Sequence, residues 1–129
     1  MYEPKTEKDI RCPLEYAMGL FGGKWKSRIL CVINSKETVR YSELKNELAG
    51  VTDTVLAAAL KELVTDNLVI RVQYNEVPMR VEYSLTATGK SIIPLLWNIC
   101  QWADIRQRET NGPLICNRCD YTEKERQTN

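Results

Sequence analysis

Residues 52–85 read TDTVLAAALKELVTDNLVIRVQYNEVPMRVEYSL, and the hydrophobic period changes in the middle of this stretch. Its first part has apolar residues at helical spacing, at positions 56, 60, 63 and 64, and Thr52 can cap the helix. Its second part contains two runs rich in β-branched and aromatic residues, 69–74 and 80–85, on either side of a segment with Pro78. The stretch therefore predicts a helix followed directly by a β-hairpin.

A short helix is predicted immediately before this stretch, over residues 42–48. Ser42 can cap it, and Tyr41, Leu44 and Leu48 share one face. The connection to the next helix is Ala49-Gly50-Val51. Two helices joined by a glycine-containing turn of about three residues form a helix-turn-helix.

Helices are also predicted on both sides of this unit. The first opens at Cys12-Pro13 and ends at Gly22-Gly23, and its apolar face consists of Leu14, Ala17, Met18 and Phe21. The second runs to about residues 34–35 and has an apolar face of Trp25, Ile29, Val32 and Ile33. After the hairpin, Thr86 can cap a long helix, bent early by Pro94, whose main stripe is Ile92, Leu96, Ile99 and Ala103. This order predicts an α+β fold, a mostly helical winged helix-turn-helix with a β-hairpin wing and a long C-terminal helix.

The composition fits one domain with two polar ends. Residues 1–11 are predicted to be a flexible arm, residues 12–110 the winged helix-turn-helix domain for DNA binding and dimerisation, and residues 111–129 a polar tail with a CxxC motif. The chain has 129 residues and a net charge of +1, so attraction to nucleic acid must come from local patches. No apolar stretch is long enough for a membrane span and no export signal is visible, which predicts a cytoplasmic protein without membrane contact.

Four motifs carry a resemblance to a known family. They are Cys12-Pro13, Gly22-Gly23-Lys24-Trp25, Arg40-Tyr41-Ser42-Glu43-Leu44, and the run VPMRVEYSLTATG at residues 77–89. Over about residues 12–104 the chain resembles HxlR-type bacterial transcription regulators, and the last run is similar to the family form P-x-R-V-E-Y-x-L-T-x-x-G. The resemblance implies a MarR-like winged-helix homodimer that binds double-stranded operator DNA.

Basic and hydroxyl side chains in this order are candidates for DNA contacts. A helix fits the major groove, and a hairpin wing can lie along the adjacent backbone. The predicted phosphate contacts are Lys24, Lys26, Arg40, Arg71 and Arg80, and the predicted contacts from the recognition helix are Thr52, Thr54 and Lys61. The alternative interpretation of Lys24 and Lys26 is a solvated lysine face without DNA contacts, and for Arg40 the same two interpretations remain.

The recognition helix departs from the family in one respect. Relatives often have Lys, Arg or Gln at several of the exposed positions 52–54, 57, 58 and 61. This chain instead has three consecutive alanines at 57–59, and alanine can only contact thymine methyl groups or allow close approach. Asp53 is repelled by phosphate and could at best accept a hydrogen bond from a cytosine amino group. Specificity is therefore expected to depend on Thr52, Thr54, Lys61 and DNA shape, and the alanines could instead be part of the core.

The five cysteines suggest different roles. Cys12 precedes a helix N-terminus beside Arg11, which favours the reactive thiolate, and the resemblance implies that it is a redox switch. An inert, exposed thiol is the alternative. Cys31 and Cys100 are predicted to be core residues. Cys116 and Cys119 are secondary redox candidates; they supply two of the usual four zinc ligands, so no metal or cofactor is predicted.

The sequence argues against an enzyme. It contains no histidine, and the stretch that partly resembles a phosphate-binding loop fails to match that motif at Met18 and Trp25. The wide apolar surface of the last helix, together with that of the first, predicts a homodimer. Two alternatives remain open: a winged-helix protein-interaction module without specific DNA binding, and a regulator that responds to a small-molecule effector instead of a thiol signal.

Overall fold

Five helices and three strands form the part of the chain that the computed structural model describes, residues 12–110. The expectations for an N-terminal arm and a CxxC tail lie outside these residues. In chain order the elements are α1 (Pro13–Phe21), α2 (Lys26–Lys36), β1 (Thr38–Arg40), α3 (Tyr41–Glu47), α4 (Asp53–Thr65), β2 (Val69–Tyr74), β3 (Arg80–Leu85) and α5 (Ala87–Glu109).

The predicted fold class is confirmed. Helices α3 and α4 form the helix-turn-helix, the β2–β3 hairpin follows as the wing, and α5 is the long C-terminal helix. None of the helices within residues 12–110 combines the length and the apolar character needed to cross a membrane.

Strand β1 is a feature that the sequence pattern did not predict. It pairs antiparallel with β3, opposite Ser84, Tyr83 and Glu82, so the sheet order is β1-β3-β2. Val39, its middle residue, is fully buried. The wing is therefore anchored to the start of α3 through β3, the central strand.

The core lies between α2, the helix-turn-helix, the inner face of the sheet and the first half of α5. Its fully buried side chains are mainly aliphatic, as the helical spacing predicted for α2 and α4. The largest of them are Ile29, Leu30, Ile33, Val39, Leu44, Leu48, Leu56, Leu63 and Leu68. Ala59 of α4 also belongs to this core, whereas Ala57 and Ala58 are exposed.

Two of the three predicted helix caps are confirmed. The Thr52 hydroxyl accepts a hydrogen bond from the Val55 amide at 3.2 Å, and the Thr86 hydroxyl accepts one from the Gly89 amide at 2.9 Å. The prediction that Ser42 caps α3 is wrong, because α3 begins one residue earlier. Its cap position is Arg40, whose backbone amide donates to the Glu43 carboxylate at 3.1 Å.

The end of α4 and the start of α5 are joined by hydrogen bonds through Thr86. Its hydroxyl donates to the carbonyl of Asn67 at 2.7 Å, and its amide donates to the carbonyl of Leu68 at 3.1 Å. Gly89, in the first turn of α5, lies directly against the same Leu68 carbonyl, so closely that a Cβ atom there would overlap its oxygen. Three contacts therefore fix the two helices to one another at this corner.

The apolar faces predicted for α1 and α5 are only partly covered. Phe21, Ile92 and Leu96 are buried, but Leu14 is 66% exposed and Trp102 is 69% exposed. Beyond Leu96 the large side chains of Ile99, Trp102 and Ile105 are exposed, which agrees with the wide apolar surface predicted for this helix. We call the exposed residues of these two helices the α1–α5 apolar set: Leu14, Met18, Leu95, Ile99, Trp102 and Ile105.

Candidate nucleic-acid interface

A hydrogen-bonded cluster fixes the start of α4 against α3. The Tyr41 hydroxyl donates to Oδ1 of Asp53 at 2.9 Å, and Lys45 Nζ lies 2.8 Å from the same oxygen. The hydrogen bond from Lys45, followed by that from Tyr41, holds the pKa of Asp53 below its ordinary value. Desolvation, followed by the hydrogen bond to Asp53, raises the pKa of Tyr41. The cluster therefore favours a charged Asp53 and a neutral Tyr41 at neutral pH, and it links the start of α4 to α3.

The outward face of α4 is nearly free of groups that can donate or accept hydrogen bonds. Val55, Ala57 and Ala58 are exposed on it, together with Thr54 and Lys61. The Thr52 hydroxyl is already used as the helix cap. Of the residues predicted to read DNA, Thr54 and Lys61 are therefore the ones that α4 presents to solvent without a role in its own structure.

The lysines near the start of α2 have different surroundings. Lys26 forms an ion pair with Glu62 of α4, and its side chain is only 16% exposed. Lys24 is exposed, and its Nζ lies 4.9 Å from the centroid of the Trp25 ring, which Arg28 also approaches to 4.8 Å. Lys24 thus remains available at the surface, whereas Lys26 links two helices.

The two arginines of the wing also differ. Arg80 contacts Glu76 at 3.0 Å and Glu82 at 3.8 Å, and its guanidinium lies 4.0 Å from the centroid of the Tyr74 ring. Its Nε atom is buried, with no hydrogen-bond partner in the described part of the chain. Arg71 is exposed on β2 and donates a hydrogen bond to the side-chain oxygen of Gln73 at 3.4 Å. Arg80 is therefore neutralised within the wing, and Arg71 is not.

The fold brings Arg40 close to the base of the wing. It lies at the end of β1, is exposed, and stands opposite Glu82 in the register of β1 and β3. Sequence reasoning missed two further basic residues, Arg28 on α2 and Lys45 on α3. The spacing of Tyr41 and Lys45, one helical turn apart, is the signal that could have drawn attention to Lys45.

Cys12 is exposed and occupies the cap position of α1, where its side chain makes no capping hydrogen bond. Cys31 and Cys100 are half-buried, which agrees only partly with their predicted place in the core. Cys116 and Cys119 lie outside the described residues. Within residues 12–110, the Cys, Asp and Glu side chains form no group of three or more that could hold a metal ion.

Comparison with known proteins matches the chain to one family and to relatives that are transcriptional regulators. The model of the HxlR-like helix-turn-helix family matches residues 20–111. Over 92 residues the chain is 45% identical to the uncharacterized HTH-type transcriptional regulator YdzF of Bacillus subtilis (strain 168), which covers 71% of this chain and 84% of that protein.

Two similar solved structures are described by their redox state. The redox regulator HypR in its oxidized form is 33% identical with a TM-score of 0.67, covering 70% of this chain and 93% of that one. The reduced form of the transcriptional regulator YodB from B. subtilis is 30% identical with a TM-score of 0.65, covering 74% of this chain and 93% of that one.

Proposed function

The chain belongs to the HxlR-like helix-turn-helix family of transcriptional regulators, and we propose that it acts as a homodimer on operator DNA and responds to thiol oxidation at Cys12. Helix α4 enters the major groove, and the β2–β3 wing lies along the adjacent backbone. The observation that carries the proposal is the position of α4. It is fixed by α3 at one end and by α5 at the other, and it presents to solvent a face on which Thr54 and Lys61 stand among small apolar side chains.

The phosphate contacts are assigned by the surroundings of each cation. Lys24, Arg40, Lys61 and Arg71 are exposed, and none of them forms an ion pair with a carboxylate in the described chain. They are therefore the candidates for replacing counterions on the DNA. Lys26 and Arg80 were predicted for the same role, but each forms an ion pair with a carboxylate. They are therefore assigned to stabilising the elements behind the interface and not to phosphate binding.

A direct test measures binding of the full chain to the duplex upstream of its own gene by fluorescence anisotropy. The wild type is expected to bind it more tightly than a duplex of scrambled sequence. Lys61→Ala is expected to weaken binding, whereas Lys90→Ala, which removes an exposed lysine from α5, is the matched control. Equal, weak binding to every duplex would contradict sequence-specific regulation and favour the protein-interaction module.

The α1–α5 apolar set supports the proposed homodimer. Its six large side chains are each at least 44% exposed in the single chain. Exposed apolar groups of this number on the first and last helices of the described chain are typical of an interface between subunits. A second copy that covers them would also set the distance between the two α4 helices, which must match half-sites about 34 Å apart.

Cys12 supports the proposed thiol response because it is exposed and opens α1, which contributes to that set. Diamide would take up the two electrons and two protons released when Cys12 joins a second thiol in a disulfide. Wild type is expected to shift on a non-reducing gel and to change its operator affinity, whereas Cys12→Ser and Cys12→Ala are not. If diamide affects all three proteins equally, Cys12 is not the switch and Cys116 and Cys119 become the candidates. If diamide affects none of them, the signal would be a ligand.

A further inference from the structure

We propose that Asp53 reads a cytosine in the operator, its carboxylate accepting a hydrogen bond from the exocyclic N4 amino group in the major groove. The inference rests on the proposed function, since it requires that α4 lies in the groove. It makes Asp53 a residue that determines specificity, although a carboxylate near phosphates is at first sight unfavourable.

The position of Asp53 fits this role. It is the first residue of α4, and its side chain is 67% exposed. In helix-turn-helix proteins the N-terminal residues of the second helix are those that contact base edges. Cytosine N4 and adenine N6 are the amino donors of the major groove, but in adenine the acceptor N7 lies beside the amino group and repels a carboxylate, so a carboxylate favours cytosine.

The carboxylate is also held in one orientation. Its contacts with the Tyr41 hydroxyl, at 2.9 Å, and with Lys45 Nζ, at 2.8 Å, are both made through Oδ1. Oδ2 is therefore the oxygen that remains for a further donor. Because Asp53 is fixed before DNA binds, little side-chain freedom is lost when the contact forms.

The same cluster answers the electrostatic objection. An isolated carboxylate near the duplex would be repelled by the phosphates, but Lys45 carries a compensating positive charge beside it. The pair as a whole is neutral. Tyr41 adds a donor without adding charge, so it positions Asp53 without changing this balance.

Few other groups on α4 can read bases by hydrogen bonding. Val55, Ala57 and Ala58 have no polar side-chain atoms, and the Thr52 hydroxyl is used by the Val55 amide. Glu62 is paired with Lys26. Asp53 is therefore the one exposed carboxylate of α4, and the neighbouring Thr54 hydroxyl and Lys61 complete its polar surface.

The experiment selects bound sequences from a pool of randomised duplexes with three full-length proteins: wild type, Asp53→Asn and Asp66→Asn. Asp66 is the exposed C-cap residue that follows the last turn of α4, so its replacement makes the same charge change at the opposite end of the helix. Wild type and Asp66→Asn are expected to select the same motif, with a cytosine at one position of each half-site. Replacing that cytosine should weaken wild-type binding by at least about tenfold. Asp53→Asn should lose this preference and accept adenine, which an amide can contact.

The outcomes distinguish a failure of the proposed function from a failure of the proposed contact between Asp53 and cytosine. If wild type selects no motif, the proposed function itself is wrong. If wild type and Asp53→Asn select the same motif, operator binding stands and the reading role of Asp53 is overturned. A uniform gain in affinity of Asp53→Asn for all duplexes would also overturn it, because it would show that Asp53 only repels phosphate. Circular dichroism of the three proteins checks that each one is folded.

Discussion

The ammonium group of Lys26 forms an ion pair with the carboxylate of Glu62, and this contact joins the first residue of α2 to the second half of α4. Both side chains are mostly covered, and Lys26 also approaches the carbonyl of Gly19 at 3.5 Å. A lysine next to a helix N-terminus would ordinarily be assigned to phosphate binding. Here it connects two helices of the core instead.

Replacing Lys26 should therefore change stability more than DNA binding. Lys26→Ala is expected to lower the free energy of unfolding by about 1–2 kcal/mol, because Glu62 loses its partner in a partly buried place. Lys24→Ala should change it by less than about 0.5 kcal/mol. Urea unfolding of both variants measures the difference. A normal stability for Lys26→Ala, with a reduced salt dependence of DNA binding, would restore Lys26 as a phosphate contact.

The two glycines Gly89 and Gly19 should respond to alanine in opposite directions. A Cβ atom on Gly89 would overlap the Leu68 carbonyl, so Gly89→Ala is expected to lower the free energy of unfolding by about 1–3 kcal/mol. Gly19 lies within α1 with nothing near its Cβ position, so Gly19→Ala should raise it by about 0.5–1 kcal/mol. Thermal melts of the two variants beside wild type test both signs.

The wing arginines should differ in their effect on the salt dependence of DNA binding. Arg71→Ala removes one phosphate contact from each subunit, so the slope of log K against log salt should become shallower by about 1.8 in a dimer. Arg80→Ala should leave this slope unchanged, although the wing loses its link to Glu76 and Glu82. The titrations are run at several salt concentrations. A change in slope for Arg80→Ala would show that the arginine leaves these carboxylates to bind DNA.

The Tyr41 and Asp53 pair should make stability depend on pH at both extremes. The pKa of Asp53 is lowered from 3.8, so its contribution is present above that value and is lost as the pH falls through the folded-state pKa. The pKa of Tyr41 is raised from 10.0, so its contribution is present below that value and is lost as the pH rises through the folded-state pKa. Melting temperatures of wild type and Tyr41→Phe should converge at both ends. A constant difference across the range would contradict this assignment.

The α1–α5 apolar set should determine the oligomeric state. Trp102→Glu places a charge within the set and is expected to reduce the mass in solution from twice 14.9 kDa to 14.9 kDa. Val77→Glu makes the same kind of change at the tip of the wing, where the side chain is fully exposed, and should leave the dimer intact. Sedimentation velocity at micromolar concentration distinguishes the two. A wild type that sediments as a monomer would contradict the dimer.

Much of the fold could be predicted because its signals are local. The period of apolar residues located α2 and α4, and the threonines at 52 and 86 marked two helix starts through hydrogen bonds within one turn. The alternation around Pro78 located the hairpin. Each of these features depends on residues that are close together in the sequence.

The features that were missed depend on distant residues. Strand β1 has three residues, too few to show a period, and it exists because β3 offers its free edge. Glu62, which pairs with Lys26, lies far from it in the sequence and is recognisable as its partner only after folding.

The hydrogen bonds of Thr86 have a mechanical consequence for any signal that reaches this protein. Because the hydroxyl and amide of one residue join the end of α4 to the start of α5, we expect a movement of either helix to act directly on the other at that corner. We expect a twist of the outer half of α5 to rotate α4 as well, because the hydrogen bonds of Thr86 connect the two helices directly. Control of this kind needs no rearrangement inside a subunit, because a rotation of α5 would by itself reposition α4.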